Sequence, residues 1–118
     1  MLKLYCYPNC STCKKAQAWL DKHNAAYEYF DIKQAPPSVM QLEAYQQKSG
    51  LPLKRFFNTS GMRYREQNLS ARLPSMTERE QLELLASDGM LIKRPLLIGE
   101  SFILVGFRES EWEMELLK

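Results

Sequence analysis

Two cysteines separated by two residues lie between a short apolar segment, residues 2–7, and a stretch with helical periodicity. A helix that begins at such a turn has unpaired N–H groups in its first turn and the positive end of its dipole, and both stabilise a thiolate. Lys14 and Lys15 add positive charge nearby. We therefore predict that Cys10 is a low-pKa nucleophile and that Cys13 resolves an adduct or disulfide formed on it.

The third cysteine, Cys6, lies on the predicted strand, where we expect a small buried apolar residue. A total of three cysteines is odd and argues against a disulfide framework. A zinc site would need a second pair of ligands, which Cys6 and the distant His23 do not supply, so we predict no metal site. His23 is about two to three helical turns from Cys10, so we predict that it ends the helix and does not act as a base.

Length and composition are those of a globular domain. A chain of 118 residues is long enough for one domain with its own core, and 45% hydrophobic with 25% charged residues is an ordinary composition. No apolar run approaches the ~20 residues that a membrane span needs. Residues 1–5 are too short and too alternating for a signal peptide, so we expect a cytoplasmic protein.

The charge distribution is uneven, although the net charge of +2 is too small to predict nucleic-acid binding. Basic residues outnumber acidic ones five to one in residues 54–72, and four glutamates lie in residues 109–115. A solvated surface explains both clusters, and a binding patch is the alternative.

Periodicity predicts a strand–helix–strand unit around the cysteines. Residues 2–7 and 27–32 have the composition of strands, and the helix between them places Ala16, Trp19 and Leu20 on one core-facing side. Such a unit favours parallel strands joined by a right-handed crossover.

The middle of the chain predicts helices. Capping boxes at residues 38–41 and 77–80 predict helices that end at Gly50 and near residue 88. Residues 50–73 lie between these helices and predict short helical pieces whose apolar side chains pack inward: Leu53, Phe56, Phe57 and Leu69.

The C-terminal third predicts a hairpin and a last helix. Residues 96–98 and 102–105 are the two strands, joined by a loop of about three residues, and Ser110 with Glu113 forms a third capping box. The order βαβ, helices, ββα is the thioredoxin arrangement. We therefore predict an α/β, thioredoxin-like fold in a single domain of residues 1–118, with a helical insertion at about residues 37–89.

Four segments resemble one known family. Residues 7–16, Tyr-Pro-Asn-Cys-Ser-Thr-Cys-Lys-Lys-Ala, resemble the active-site turn of the ArsC/Spx family of thioredoxin-fold proteins. Residues 91–96, with Arg-Pro before a strand, resemble its second signature, and residues 105–107 match the start of its C-terminal segment. Residues 50–58 are similar to the segment after the first inserted helix. The resemblance covers nearly the whole chain and is strongest to the small Gram-positive members.

The resemblance implies one of two activities. One branch of the family contains glutaredoxin-coupled arsenate reductases. The other contains Spx-type regulators, which bind the C-terminal domain of the RNA polymerase α subunit and use a Cys-x-x-Cys as a redox switch. Gly50 is similar in position to a glycine at that polymerase contact, and it is equally explained as a helix C-cap.

For a reductase, the resemblance implies that Cys10 attacks arsenic to form a thiol–arsenate adduct. Arg94 and Arg108 match oxyanion-binding arginines of the family, whereas the third arginine position falls at Lys54. Lysine keeps the charge but lacks the two-point geometry of a guanidinium. The family histidine that lowers the pKa of the nucleophile falls at Cys6.

Two further residues follow from the resemblance. Pro95 is expected to be the cis-proline that faces the active site, and its backbone neighbour would pair with an incoming peptide or glutathione. Cys13 has no counterpart in the enteric reductases and allows a disulfide cycle with Cys10. No tightly bound cofactor is implied, and glutathione with glutaredoxin, or thioredoxin, is the implied electron donor.

We therefore predict a thiol-dependent oxidoreductase of the arsenate-reductase type. Its partners would be a small oxyanion or a thiol substrate and a redox protein, with neither nucleic acid nor membrane bound directly. The main alternative is a Spx-like redox sensor that contacts RNA polymerase. A general disulfide reductant and an inactive relative are the remaining alternatives.

Overall fold

The computed structural model describes residues 1–117. At the centre of the fold lies a four-stranded sheet with the strand order β2-β1-β3-β4. β1 (Leu2–Cys6) pairs in parallel with β2 (Tyr27–Asp31) and antiparallel with β3 (Leu96–Ile98). β3 pairs antiparallel with β4 (Ile103–Val105). The strand that precedes the cysteines is therefore an inner strand, supported on both sides.

Residues 1–117 contain six α-helices together with three short 3-10 turns. The helices are α1 (Ser11–Lys22), α2 (Val39–Ser49), α3 (Met62–Glu66), α4 (Leu69–Arg72), α5 (Glu78–Ser87) and α6 (Glu109–Leu116). The predicted thioredoxin-like order is confirmed, because α2 to α5 lie between the βαβ unit and the final ββα unit. None of the helices in the described residues is both long and apolar enough to cross a membrane.

Alternate residues of β1 point to opposite faces of the sheet. Tyr5 packs into the larger apolar cluster with the inserted segment, whose Leu53, Phe56, Phe57 and Leu69 are buried as predicted. Leu4 and Cys6 point to the other face, into a cluster with residues of α1 and α6. Cys13 of α1 therefore packs on the face opposite the insertion.

The ends of the inserted helices follow their local sequence. The two capping boxes predicted in the insertion are present, Ser38 with Gln41 and Thr77 with Glu80. The third predicted box, Ser110 with Glu113, is absent, because Arg108 is the N-cap of α6 and makes no side-chain capping bond. α2 ends at Gly50, which adopts the left-handed φ of 68° that glycine tolerates without a side-chain penalty.

Two boundaries in the C-terminal third differ by one residue from those predicted. α6 begins at Glu109 with Arg108 as its N-cap, and the Trp112 indole N–H donates to the Gly106 carbonyl at 3.2 Å, which holds this earlier start. The hairpin loop has four residues, because the Gly99 N–H donates to the Phe102 carbonyl at 2.9 Å and β4 begins only afterwards.

Candidate active site

Cys10 is the N-terminal cap of α1, with extended backbone angles of φ −91° and ψ 119°. Its N–H donates to the Tyr7 carbonyl at 3.0 Å, and its carbonyl accepts from the Lys14 N–H at 3.1 Å. The Cys10 side chain makes no capping hydrogen bond within residues 1–117. The first-turn N–H groups of α1 are therefore available to a thiolate or an anion at this position.

Cys13 lies in the first turn of α1, with only 1% of its surface exposed. Hydrogen bonding, from Cys6 foremost and then from Tyr7 and Cys10, lowers the pKa of Cys13 from 9.0 to about 6 against the opposing effect of burial. The positive charge of Arg94 acts in the same direction.

Cys6 lies in the same buried cluster as Cys13. It ends β1, is completely buried, and is a free thiol like the other two cysteines. Its hydrogen bond to Cys13 raises the pKa of Cys6, and burial raises it further. The prediction of a small buried residue at Cys6 is confirmed, but its bond to Cys13 was not predicted.

A cleft of about 670 Å³ opens in front of Cys10. Five cationic side chains line it, and no carboxylate among the described residues does: Lys54, Arg55, Lys93, Arg94 and Arg108. These side chains come from the 3-10 turn after α2, the segment before β3 and the N-cap of α6. The resulting positive potential favours an anionic substrate beside the Cys10 sulfur.

Arg94 is the most constrained of these cations. Its guanidinium lies 5.6 Å from the centre of the Tyr7 ring, and one terminal nitrogen donates to the Met90 carbonyl at a long 3.4 Å. Its Nε is buried and has no hydrogen-bond partner in residues 1–117. Because buried N–H groups are nearly always paired, this free donor at the cleft indicates a place for a ligand acceptor.

Pro95 is buried next to this arginine, and the Arg94–Pro95 peptide bond is cis, as the resemblance implies. The Pro95 carbonyl accepts from the Gly106 N–H at 2.8 Å. Pro95 therefore connects the Arg94 segment to the segment that leads into α6. The predicted pairing of its backbone neighbour with an incoming peptide or glutathione stays a prediction.

The structure brings four of the six predicted site residues to one surface. Cys10, Lys54, Arg94 and Arg108 line the cleft, whereas Cys13 and Pro95 are buried beside it. Two further cations of the cleft were not among the predicted site residues. Each of them, Arg55 and Lys93, directly adjoins a predicted residue, and adjacency in sequence was the available signal.

Two other predictions concern groups away from the cleft. His23 is the C-cap of α1, and its ring is tilted by 52° to the Trp19 ring at a centroid distance of 4.3 Å, so its predicted place at the helix end is confirmed. Within residues 1–117, His, Cys, Asp and Glu side chains form no group of three or more that could hold a metal ion.

The model of the ArsC family matches residues 5–114, which include all the elements of the site. The chain belongs to the ArsC family. It is 54% identical over 112 residues to the uncharacterized protein YusI of Bacillus subtilis, covering 95% of each chain. The chain is also 30% identical to the global transcriptional regulator Spx of Enterococcus faecalis, over 94% of this chain and 83% of the relative.

A solved structure agrees with this assignment. The crystal structure of a possible arsenate reductase from Streptococcus mutans UA159 superposes with a TM-score of 0.90 at 45% identity, and 98% of each chain is covered. The predicted resemblance to the ArsC/Spx family and the thioredoxin-like fold are therefore confirmed.

Proposed function

We propose that this ArsC-family protein is a thiol-dependent oxidoreductase of the arsenate-reductase type, with Cys10 as the nucleophile and Cys13 as the resolving thiol. The observation that supports this most directly is the half-buried Cys10 sulfur at a cleft lined by five cations, with the Cys13 sulfur in hydrogen-bonding contact behind it. A nucleophile, an anion site and a resolving thiol are the three parts that reduction of an oxyanion requires.

The proposed reaction begins with attack of the Cys10 sulfur on the arsenic of arsenate, and the Cys10 proton leaves with one arsenate oxygen as water. Cys13 then attacks the Cys10 sulfur, so that the S–As bond breaks and its electron pair stays on arsenic. Arsenic falls from the +5 to the +3 state and leaves as arsenite. The two electrons come from the two thiols, which end as a Cys10–Cys13 disulfide.

Arg94 is proposed as the principal ligand of the oxyanion, because its buried Nε has an unused donor. Arg108, the N-cap of α6, supplies a second guanidinium to the same cleft. The third position, Lys54, lacks the two-point geometry of a guanidinium, but Arg55 lines the same cleft and provides one. Arg55 is therefore proposed to share the role that the resemblance assigns to Lys54.

Recycling requires an external thiol that reduces the disulfide. Glutathione with glutaredoxin, or thioredoxin, is the proposed donor, and no tightly bound cofactor takes part in the proposed cycle. We place the protein in the cytoplasm, where the thiol pools keep cysteines reduced between turnovers.

The experiment is mass spectrometry of the fully reduced protein after incubation with arsenate, with buffer alone as control. The proposal expects the loss of two hydrogen atoms only with arsenate, and peptide mapping should place the new bond between Cys10 and Cys13. Cys6→Ser should still form this disulfide, whereas Cys10→Ser should not. Equal oxidation with and without arsenate would contradict oxyanion reduction.

The second candidate is a redox-sensing regulator that binds the C-terminal domain of the RNA polymerase α subunit. The similarity to the transcriptional regulator Spx over 94% of this chain favours it. The same two cysteines would serve as the sensor. Binding of the purified α-subunit domain to the reduced and to the oxidised protein, measured by calorimetry, tests this candidate, and absence of binding to both forms would exclude it.

A further inference from the structure

The orientation of the Arg94 side chain depends on a residue four positions before it. One terminal nitrogen of the guanidinium donates to the Met90 carbonyl at 3.4 Å, and the guanidinium lies 5.6 Å from the centre of the Tyr7 ring. These two contacts orient the guanidinium, while its Nε is left without a partner in residues 1–117. The direction of the Met90 carbonyl therefore helps to set where the free Nε donor lies.

Met90 is the middle residue of the 3-10 turn Gly89–Leu91, which follows α5. Asp88 is the N-cap of this turn, and its Oδ1 accepts from the Met90 N–H at 3.0 Å. The Asp88 main-chain carbonyl accepts from the Leu91 N–H, also at 3.0 Å. Because the Leu91 N–H and the Met90 carbonyl belong to the same peptide group, Asp88 holds the peptide groups on both sides of Met90.

The two ends of the turn are held by other parts of the chain. Gly89 lies so close to the Ile32 carbonyl that a Cβ would overlap it. The Leu91 carbonyl accepts from the Asn58 N–H at 2.7 Å. The cap therefore acts on the middle of the turn, where Met90 presents its carbonyl to the arginine.

The second carboxylate oxygen of Asp88 makes a different contact. Oδ2 forms an ion pair with Arg63 of α3, whose side chain is 51% exposed. An ion pair this exposed contributes little, because water and salt screen it. The contact of Asp88 that bears on Arg94 is therefore the capping bond through Oδ1.

We propose that Asp88 is a positioning residue for anion binding: by capping the turn it directs the Met90 carbonyl at the Arg94 guanidinium and so keeps the Nε donor in place for the oxyanion. This rests on the proposed function, in which Arg94 is the principal ligand of the oxyanion. Asp88 is not one of the residues that line the cleft, so it acts through Met90 and not by contact with the anion.

The charge of Asp88 makes the proposal sharp. A carboxylate near an anion site disfavours the anion, so removal of its charge alone should tighten anion binding, whereas loss of the cap should weaken it. Asp88→Ala removes both the charge and the acceptor. Asp88→Asn removes the same charge but keeps an acceptor oxygen for the Met90 N–H. Comparison of these two variants therefore isolates the acceptor.

The experiment is a titration of the fully reduced, ¹⁵N-labelled full chain with inorganic phosphate, followed by NMR at the Nε–H signal of Arg94. Phosphate is a tetrahedral anion that does not oxidise thiols, so the readout does not depend on arsenate reduction. Asp88→Ala should weaken phosphate binding by about three- to fivefold, because loss of an N-cap lowers the fraction of the protein with the competent turn. Asp88→Gly should do the same at a smaller cost in stability, which keeps the test valid if Asp88→Ala folds poorly.

Two control variants break the ion pair and keep the cap. Asp88→Asn and Arg63→Ala should both bind phosphate within about twofold of the wild type. Thermal denaturation of every variant shows that it is folded at the temperature of the titration. A purely structural role would lower the melting temperature of Asp88→Ala and leave the phosphate affinity of the folded protein unchanged.

Wild-type or tighter binding in Asp88→Ala and Asp88→Gly would overturn the proposal. Equal weakening in Asp88→Ala and Asp88→Asn would also overturn it, as would weakening of the same size in Arg63→Ala, which would assign the effect to the ion pair. An Arg94 signal that does not respond to phosphate in the wild type would leave no anion for the turn to position and would be equally fatal. If phosphate binding followed the expected order but arsenate produced no Cys10–Cys13 disulfide, the proposed function would fail and the positioning role of Asp88 would stand.

Discussion

The guanidinium of Arg94 lies 5.6 Å from the centre of the Tyr7 ring, which connects the segment before β3 to the residue that follows β1. The Tyr7 carbonyl also accepts the Cys10 N–H at 3.0 Å. One residue therefore contacts both the cation and the backbone of Cys10. The aromatic contact orients the guanidinium while its Nε stays free for a ligand.

Replacing Arg94 by Ala should slow arsenate-dependent disulfide formation by at least about tenfold, because a charge-assisted donor to the oxyanion is lost. The free energy of unfolding should change by no more than about 1 kcal/mol, since a partly exposed cation–π contact contributes only that much. Arg94→Lys should retain part of the rate, because it keeps the charge without the planar fork.

The matched control for Arg94 is Arg65→Ala, which removes an exposed arginine of α3 outside the cleft. It should leave the rate unchanged. Stopped-flow or quenched mass spectrometry gives the rates, and urea denaturation gives the stability. If Arg94→Ala lost several kcal/mol of stability in proportion to its rate, the arginine would be structural.

Replacing Cys13 by Ser should leave a mixed disulfide with glutathione on Cys10 that persists. In the wild-type protein the neighbouring sulfur displaces the glutathione, and the serine hydroxyl cannot. Intact-mass spectra at increasing times after removal of free thiol would measure the decay. Cys6→Ser should clear the adduct as the wild type does, and rapid clearance in Cys13→Ser would remove the resolving role from Cys13.

The stability of the reduced protein should depend on pH through Cys13. The pKa of the Cys13 thiol is 9.0 in the unfolded chain and about 6 in the folded protein. Between these two pH values the unfolded chain therefore binds one more proton than the folded protein. The stabilisation is therefore complete above about pH 9, and it is lost as the pH falls to about 6. Below that, both states are protonated and the contribution is absent.

Urea denaturation under reducing conditions at about pH 6 and pH 8 would measure this effect. The difference in unfolding free energy between the wild type and Cys13→Ser should be larger at the higher pH. All other residues are the same in both proteins, so the comparison isolates the contribution of Cys13. An equal difference at both values would show that Cys13 is not a thiolate in the folded protein.

Gly89→Ala should destabilise the fold by several kcal/mol. A Cβ at this buried position would overlap the backbone carbonyl of Ile32, and neither backbone can move without disturbing the end of β2 or the insertion. Gly50→Ala is the control, since nothing lies within 4 Å and only its φ of 68° is unfavourable. Gly50→Ala should cost about 1 kcal/mol. Thermal denaturation of both variants gives the comparison, and equal losses would contradict the overlap.

Much of the fold could be predicted from local sequence. The capping boxes at residues 38–41 and 77–80 were predictable because their bonds join residues three positions apart. The strand, turn and helix around Cys10 were predictable from periodicity alone. The last helix begins at Glu109, one residue from the predicted start, but the capping box predicted at Ser110 is absent.

The candidate site likewise has some features that are local in sequence and others that exist only in the folded protein. The sequence by itself determined that Cys10 and Cys13 lie at the N-terminus of a helix, since their spacing and the preceding strand are local features. Only the tertiary structure decided that Lys54 and Arg55 join Arg94 and Arg108 at the cleft with Cys10, and that Cys6 and Cys13 are buried in one cluster. The cleft joins separate segments of the chain, and their distances depend on how strands pair and helices pack, which no local pattern of residues encodes.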